Sequence, residues 1–256
     1  MGLKMLKIPD ELYKFVDKSK ITPVLGGKSG AHVYLLENKE RLYLKIMPKN
    51  MGFSLKKEAD VLGWLNGKLI VPEVLHFSGN ADFEYLLMTG VKGISAENFF
   101  DKKTLIQKLA QGLKIIHSID ITNCPFDNRL DLKLKEAKYR VENNLVDEDN
   151  FDNEHAGLKA GDLFKKLLDT KPKNEDLVFT HGDYTLPNIL IDNDKIGFID
   201  WSNAGICDRY QGLALAFRSI ERHIGKEWAE LFFKEYGVYG VDWEKIEYFM
   251  LLDEFF

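Results

Sequence analysis

Asp176–Asn203 reads DLVFTHGDYTLPNILIDNDKIGFIDWSN, and the rest of the chain is organised around it. Leu177-Val178-Phe179 is a short apolar run that predicts a strand. It breaks into the polar loop His181-Gly182-Asp183-Tyr184-Thr185-Leu186-Pro187-Asn188. The apolar Ile189-Leu190-Ile191 follows, then the turn Asp192-Asn193-Asp194-Lys195, then Ile196-Gly197-Phe198-Ile199, which ends on Asp200. Asn-Asp between two β-branched runs signals a hairpin. The hairpin predicts Asn188 at the start of one strand and Asp200 at the end of its partner, near one rim of the sheet, with Asp183 on the loop just ahead.

The order His-x-Asp-x-x-x-x-Asn, followed by an Asp closing an apolar strand, is the outline of a protein-kinase catalytic loop and its metal-binding Asp. The chemistry explains the residue types. Phosphoryl transfer needs a carboxylate beside the attacking hydroxyl and hard oxygen ligands for Mg²⁺. In this pattern Asp183 is the candidate catalytic base, and Asn188 and Asp200 are the candidate metal ligands.

Composition bounds the rest. The chain has 256 residues, 45% hydrophobic and 29% charged, which is enough apolar material for a sizeable core and suits one large domain or two lobes. A net charge of -5 argues against nucleic acid as the main partner, because a phosphate backbone calls for a basic face. Cys124 and Cys207 form no CxxC motif and read as free thiols in a reducing compartment. The N-terminal MGLKMLKIPDELYKF lacks the apolar core of a signal peptide, and no stretch approaches a membrane span. The expectation is a cytoplasmic protein, with no membrane partner.

Ahead of the loop, Pro9 and Asp10 open a short helix, and three β-like segments follow at Ile21–Leu25, Ala31–Glu37 and Leu42–Met47. Gly26-Gly27-Lys28-Ser29-Gly30 joins the first two. A Gly-rich turn there lets backbone N–H groups approach a phosphate. Lys45 is a charge on an otherwise apolar strand. Glu58 sits in the helical stretch Ser54–Leu65, whose Leu55, Ala59, Leu62 and Leu65 predict the buried face. A strand Lys on the α- and β-phosphates, steadied by a helix Glu, is the kinase way of positioning ATP. Val74–Ser78 and Tyr85–Met88 complete a first sheet, and Gly90 and Gly93 bracket a hinge. Backbone groups around Met88 and Val91 are placed there to read adenine's edge. The division predicted is residues 1–90 as a nucleotide-binding lobe and 91–256 as a catalytic and acceptor-binding lobe.

Helices are predicted at Lys103–Ser118, Leu130–Asn143 and Gly161–Leu168, and after the loop near Arg209–Ile224, Trp228–Tyr236 and Trp243–Phe256. His117 reads as a packed helix-end histidine. The run Val146–His155 holds five acids in eight positions, Asp147 to Glu154, which suggests a negative wall for an acceptor. The chain ends Leu251-Leu252-Asp253-Glu254-Phe255-Phe256, adding a free carboxylate to two acidic side chains. A helix C-terminus is already partly negative, so acids there are mildly unfavourable, by about 0.3–1 kcal/mol each. That cost points to a cationic partner, with folding independent of these acids.

Taken with LVDEDNFDNEH, LVFTHGDYTLPNILI, DRYQGLALAFRSI and the terminal LLDEFF, the sequence resembles the bacterial aminoglycoside 3'-phosphotransferases over nearly its whole length. The resemblance implies an α+β, two-lobed protein-kinase-like fold, with a small antiparallel β-rich N-lobe and a larger, mainly helical C-lobe. It implies ATP and Mg²⁺, a bacterial cytoplasmic enzyme, and a monomer or weak dimer. It makes Asp183 the base, Asn188 and Asp200 the Mg²⁺ ligands, and Lys45 and Glu58 the phosphate-positioning pair. Ser29 becomes a phosphate contact and Tyr43 the ring against adenine. Asp152, Glu154, Asp253, Glu254 and the Phe256 carboxylate become the drug-binding acids. The family commonly has Gly-Arg after the metal Asp, where this chain has Trp201-Ser202-Asn203. It has Asp where Gly212 and Ser219 stand. These departures bear on rate and substrate range. Two alternatives stand beside this reading: the same kinase acting on choline, a macrolide or a sugar, and an inactive nucleotide-binding module.

Overall fold

The computed structural model describes residues 8–17, 19–24, 30–49 and 54–256. The chain forms two compact units: residues 1–92 with 197–202, and residues 93–196 with 203–256. The first unit thus takes in a later return of the chain, which a single boundary at residue 90 does not describe.

In the first unit, helix α1 (Asp10–Val16) precedes strands β1 (Lys20–Val24), β2 (His32–Glu37) and β3 (Arg41–Pro48). Helix α2 (Leu55–Leu65) and strands β4 (Val74–Gly79) and β5 (Phe83–Thr89) follow. The strands make one antiparallel sheet in the order β1-β2-β3-β5-β4. Alternation along β3 divides its side chains between the faces. Leu44 and Ile46 join Tyr34, Leu36, Tyr85 and Leu87 in a core closed by Ile8 and Leu12. Tyr43 and Lys45 point the other way, and their register partners on β5 are Met88 and Leu86. Helix α2 starts on the Ser54 cap, whose hydroxyl accepts the Lys56 N–H. Glu84 of β5 accepts the Leu55 N–H at 2.7 Å and the Ser54 hydroxyl at 2.9 Å, which fixes the helix start to the sheet. The buried face of α2 is Leu55, Glu58, Val61, Leu62 and Leu65. Ala59, predicted on that face, is half-buried, and Glu58 takes the interior position.

The second unit is mainly helical. It holds β6 (Ile94–Ser95), α3 (Lys102–His117), α4 (Leu130–Glu142), α5 (Ala160–Asp169), β7 (Leu177–Thr180) and β8 (Ile189–Asp192). Next comes β9 (Lys195–Phe198), within which the chain passes into the first unit at Gly197. After its return come β10 (Gly205–Asp208), α6 (Arg209–His223), α7 (Ala229–Tyr236) and α8 (Trp243–Asp253). The predicted hairpin is present: β8 and β9 neighbour each other in a small sheet, joined by Asn193-Asp194, with Asn193 in the left-handed region at φ 52°. Strand β10 was not expected from the sequence; it pairs antiparallel with β7, Cys207 opposite Val178. The core of this unit runs along α6, where Leu213, Ala214, Leu215, Ala216, Phe217 and Ile220 are all buried. Phe217 and Phe233 both pack edge-on against Trp243, at 5.4 and 5.7 Å between ring centres.

Candidate active site

The first unit brings three predicted residues together from distant parts of the sequence. Lys45 Nζ lies 2.7 and 2.9 Å from the two oxygens of Glu58 and 3.2 Å from Asp200 Oδ1. Glu58 is 1% exposed and Lys45 14%, whereas the Asp200 side chain is 46% exposed. Burial alone would strip Lys45 of its charge, but the two carboxylates outweigh it and hold its pKa above the ordinary lysine value. Asp200 sits at φ 63°, an uncommon conformation for a residue with a side chain. Trp201, fully buried beside it, donates its indole N–H to the Phe198 carbonyl, and the Ser202 hydroxyl reaches Asp200 Oδ1 at 3.5 Å.

At the end of β5, the N–H groups of Thr89 and Gly90 are taken by the Glu73 and Arg41 carbonyls. The Val91 N–H has no partner among the described residues. Met88 is buried at 4% exposure. The Tyr43 ring lies against Gly90, so closely that a Cβ on Gly90 would meet it at 3.1 Å. Ser29 and the rest of the Gly-rich stretch up to it lie outside the described residues.

The candidate catalytic loop, in the second unit, leaves β7 at Thr180. His181 is fully buried, and its Nδ1 accepts the Asp183 N–H at 3.3 Å. Gly182 adopts φ 84°, and a Cβ there would strike the Asn203 carbonyl oxygen at 2.0 Å, so no other residue fits. Tyr184 anchors the loop inward through its hydroxyl to the Leu109 carbonyl at 2.7 Å. The short turn Leu186–Asn188 then presents Asn188, whose amide donates to Asp183 Oδ2 at 2.8 Å and to the Asp183 carbonyl at 3.0 Å. The base candidate is thereby oriented by the metal-ligand candidate five residues on.

The acids predicted for the acceptor fall into two groups. Asp152, Asp253 and Glu254 come together, but each already has partners. Asp152 pairs with Arg222 and lies 3.6 Å from Arg218, which also pairs with Asp253. Burial opposes the Arg218 charge, yet Asp253 and Asp152 more than compensate and hold it above its ordinary range. Glu254 accepts the Asp152 N–H at 3.1 Å and contacts His155 Nδ1 at 2.9 Å, with its side chain only 5% exposed. Burial pushes its carboxyl above the usual carboxylate range, against the pull of His155. This corrects the expectation that folding is independent of the terminal acids, because Glu254 is an internal strut. Glu154, by contrast, is exposed and has no ion pair among the described residues. Helix α8 ends at Asp253, short of the predicted Phe256. Two cations of α4 hold the last residues: Arg140 donates to the Phe255 carbonyl, and Lys133 stands over the Phe256 ring at 3.9 Å. A cavity of about 30 Å³, room for about one water, is lined by Gly182, Gln211, Asp253 and Phe256 among others.

A model of the phosphotransferase enzyme family matches residues 20–249. The chain belongs to that family. It is 40% identical to an aminoglycoside 3'-phosphotransferase of Niallia circulans over 255 residues, covering 97% of each chain. Among solved structures, an aminoglycoside-3'-phosphotransferase of type VIII superposes with a TM-score of 0.86 at 31% identity, covering 93% of this chain and 94% of that one. An aminoglycoside phosphotransferase of Streptomyces rimosus, solved with ADP and streptomycin, gives 0.81 at 25% identity and 95% coverage of both. The α+β, protein-kinase-like fold expected from the sequence is that of the family.

Three residues that the sequence expectation set apart from the resembled family have local roles. Gly212 faces His117: a Cβ there would lie 2.8 Å from Nε2, so the small residue is what admits the imidazole. Asn203 uses its backbone carbonyl, which accepts the Asn128 amide at 2.7 Å, rather than its side-chain identity. Ser219 is buried at 3% exposure, and its hydroxyl accepts the Leu186 N–H at 3.0 Å. Sequence reading missed the last two contacts and the Arg218–Arg222 pairing of the acids. The signal for the latter was the arginine spacing of four on one helix, which places both on one face.

Proposed function

We propose that this protein is an ATP-dependent phosphotransferase acting on the 3'-hydroxyl of aminoglycosides, and that it confers resistance by that modification. The observation that carries the reading is the complete set Lys45, Glu58, Asp183, Asn188 and Asp200 within a whole-length match to enzymes of that activity. Asp183, oriented by the Asn188 amide and its own N–H bond to His181, accepts the proton of the attacking hydroxyl. The hydroxyl oxygen bonds to the γ-phosphorus as the bond to the β-phosphate oxygen breaks, and ADP leaves. Lys45, kept charged by Glu58, contacts the α- and β-phosphates. Tyr43 takes the adenine face, and the backbone of Met88 and Val91 takes its edge; the open Val91 N–H fits that role. Ser29 is the proposed phosphate contact of the Gly-rich stretch.

Asn188 and Asp200 suit Mg²⁺, a hard cation that takes oxygen ligands. Asn188 spends its N–H₂ on Asp183, which leaves its amide oxygen to face a cation, and Asp200 offers an exposed carboxylate. When bound, the ion neutralises charge on the β- and γ-phosphates. Asp152, Glu154, Asp253, Glu254 and the Phe256 carboxylate are proposed to set the negative field for a polycation, with the exposed Glu154 open to direct contact. The test is ADP release across an aminoglycoside panel with wild type and Asp183→Asn. Release with wild type and a fall of about 10²–10⁴-fold with the variant is the expected result. Release driven by choline or a macrolide, but by no aminoglycoside, would replace the acceptor while keeping the chemistry.

A further inference from the structure

Helix α6 grips the catalytic loop on both sides of Asp183. In its first turn, Gln211 donates its Nε2–H to the carbonyl of Gly182, the residue before Asp183, at 2.8 Å. Eight residues on, the Ser219 hydroxyl accepts the N–H of Leu186 at 3.0 Å. Leu186 opens the short turn that ends on Asn188, and Asn188 is the residue that orients the Asp183 carboxylate. The helix between the two anchors is buried on Leu213, Ala214, Leu215, Ala216 and Phe217, so it is a fixed reference for both.

The two anchors need opposite chemistry. Gln211 serves as a donor alone, because its Oε1 is buried and makes no hydrogen bond among the described residues. Ser219 serves as an acceptor, and both it and Leu186 are almost fully buried, so water does not replace the bond. Without Ser219 Oγ the turn carrying Asn188 has a buried N–H with no partner. The turn then gains an incentive to shift.

We propose that Gln211 and Ser219 are positioning residues of the transfer reaction. They hold the loop so that Asp183 and Asn188 keep the geometry in which the base faces its hydroxyl. The inference rests on the assignment of Asp183 as the base.

The test compares Ser219→Ala, Ser219→Thr, Gln211→Met and Gln211→Glu by steady-state kinetics, melting and amide exchange at Leu186. Ser219→Ala and Gln211→Met should each lower kcat by about 10- to 100-fold, as a displaced catalytic group does. KM for ATP and for the aminoglycoside should move by less than about twofold, since each anchor bonds the backbone of the loop. Ser219→Thr, which keeps the acceptor, should recover most of kcat. Gln211→Glu keeps the shape but, as the ionised carboxylate at an alkaline assay pH, cannot donate to Gly182, so it should be as impaired as Gln211→Met. The Leu186 amide should be protected in wild type and exchange at least about tenfold faster in Ser219→Ala.

A space-filling role gives the reverse order, with Gln211→Glu near wild type and the larger Ser219→Thr worse than Ser219→Ala; that order overturns the proposal. So does unchanged kcat in both truncations. Should Ser219→Ala not fold, the contrast of an active Ser219→Thr with a crippled Gln211→Glu still decides. If wild type phosphorylates no aminoglycoside, the functional reading fails, while the Leu186 exchange result still reports whether the anchor exists.

Discussion

Lys45 and Glu58 form their ion pair where water scarcely reaches, and that sets what either substitution does. Removing one partner of a buried pair leaves the other charge uncompensated, at a cost of about 3–5 kcal/mol. Lys45→Ala should therefore lose both nucleotide use and stability, because Glu58 is 1% exposed. The double variant Lys45→Met with Glu58→Leu should regain most of the urea stability and none of the activity. A Lys45→Ala protein that unfolds at the wild-type urea concentration would show that the pair is not held as charges. The acids at the acceptor side divide in the same way. Glu254→Ala should raise the aminoglycoside KM and also lower stability by about 1 kcal/mol, since it removes the partner of the half-buried Asp152 N–H. Glu154→Ala should leave the melting temperature alone and raise the aminoglycoside KM, with the effect shrinking as salt screens the charge. An unchanged KM at low salt would remove Glu154 from the acceptor site.

At the scale of elements, the strands and helices that the sequence displayed most clearly were those with strong periodicity. Arg41–Pro48 alternates, Lys102–His117 repeats at helical spacing, and the β8–β9 hairpin carries its own turn. Strand β10 was hidden because its four residues, Gly-Ile-Cys-Asp, exist as a strand only through pairing with β7, twenty-five residues earlier. The face of α2 was misread at Glu58 for a related reason: a carboxylate in the interior is favourable only with Lys45 opposite, a partner that periodicity does not reveal. Helix α3 ends on another such case. His117 is buried against Tyr236, its Nδ1 2.7 Å from the phenol oxygen, and burial together with Arg209 lowers its pKa to about 3. The unfolded chain takes up a proton near the ordinary 6.5, whereas the folded one does not. Stability is therefore fully present above pH 6.5 and declines as pH falls from there toward 3, by up to about 1.4 kcal/mol per unit. His117→Gln should flatten the melting curve against pH between 6.5 and 4.5; an unchanged acid slope would mean that the imidazole is not the group responsible.

At the scale of the whole molecule, the proposed catalytic set stands out in the sequence because phosphoryl transfer tolerates few residue types at its centre. Lys45, Glu58, Asp183, Asn188 and Asp200 appear in the order the chemistry needs, and the structure then joins Lys45 to Asp200 across 155 residues of sequence. What the sequence concealed is how charges are shared at the acceptor side. Counting carboxylates suggested open acids, whereas Arg218, Arg222 and His155 already occupy three of those proposed for the acceptor, Asp152, Asp253 and Glu254. If these acids bind a cationic substrate, as proposed, that substrate has to compete with or share those partners. This makes substrate range depend on residues that touch no drug. Among the described residues no helix is long and apolar enough to cross a membrane.

The proposed reaction is transfer of one phosphoryl group from ATP to a 3'-hydroxyl. Mass spectrometry of kanamycin and tobramycin, each incubated with the enzyme, ATP and Mg²⁺, tests that directly, because tobramycin lacks the 3'-hydroxyl. Kanamycin should gain one phosphoryl group, while tobramycin should compete for the site and keep its mass. Phosphorylated tobramycin, or kanamycin left unmodified while ATP is consumed on another acceptor, would contradict the assignment.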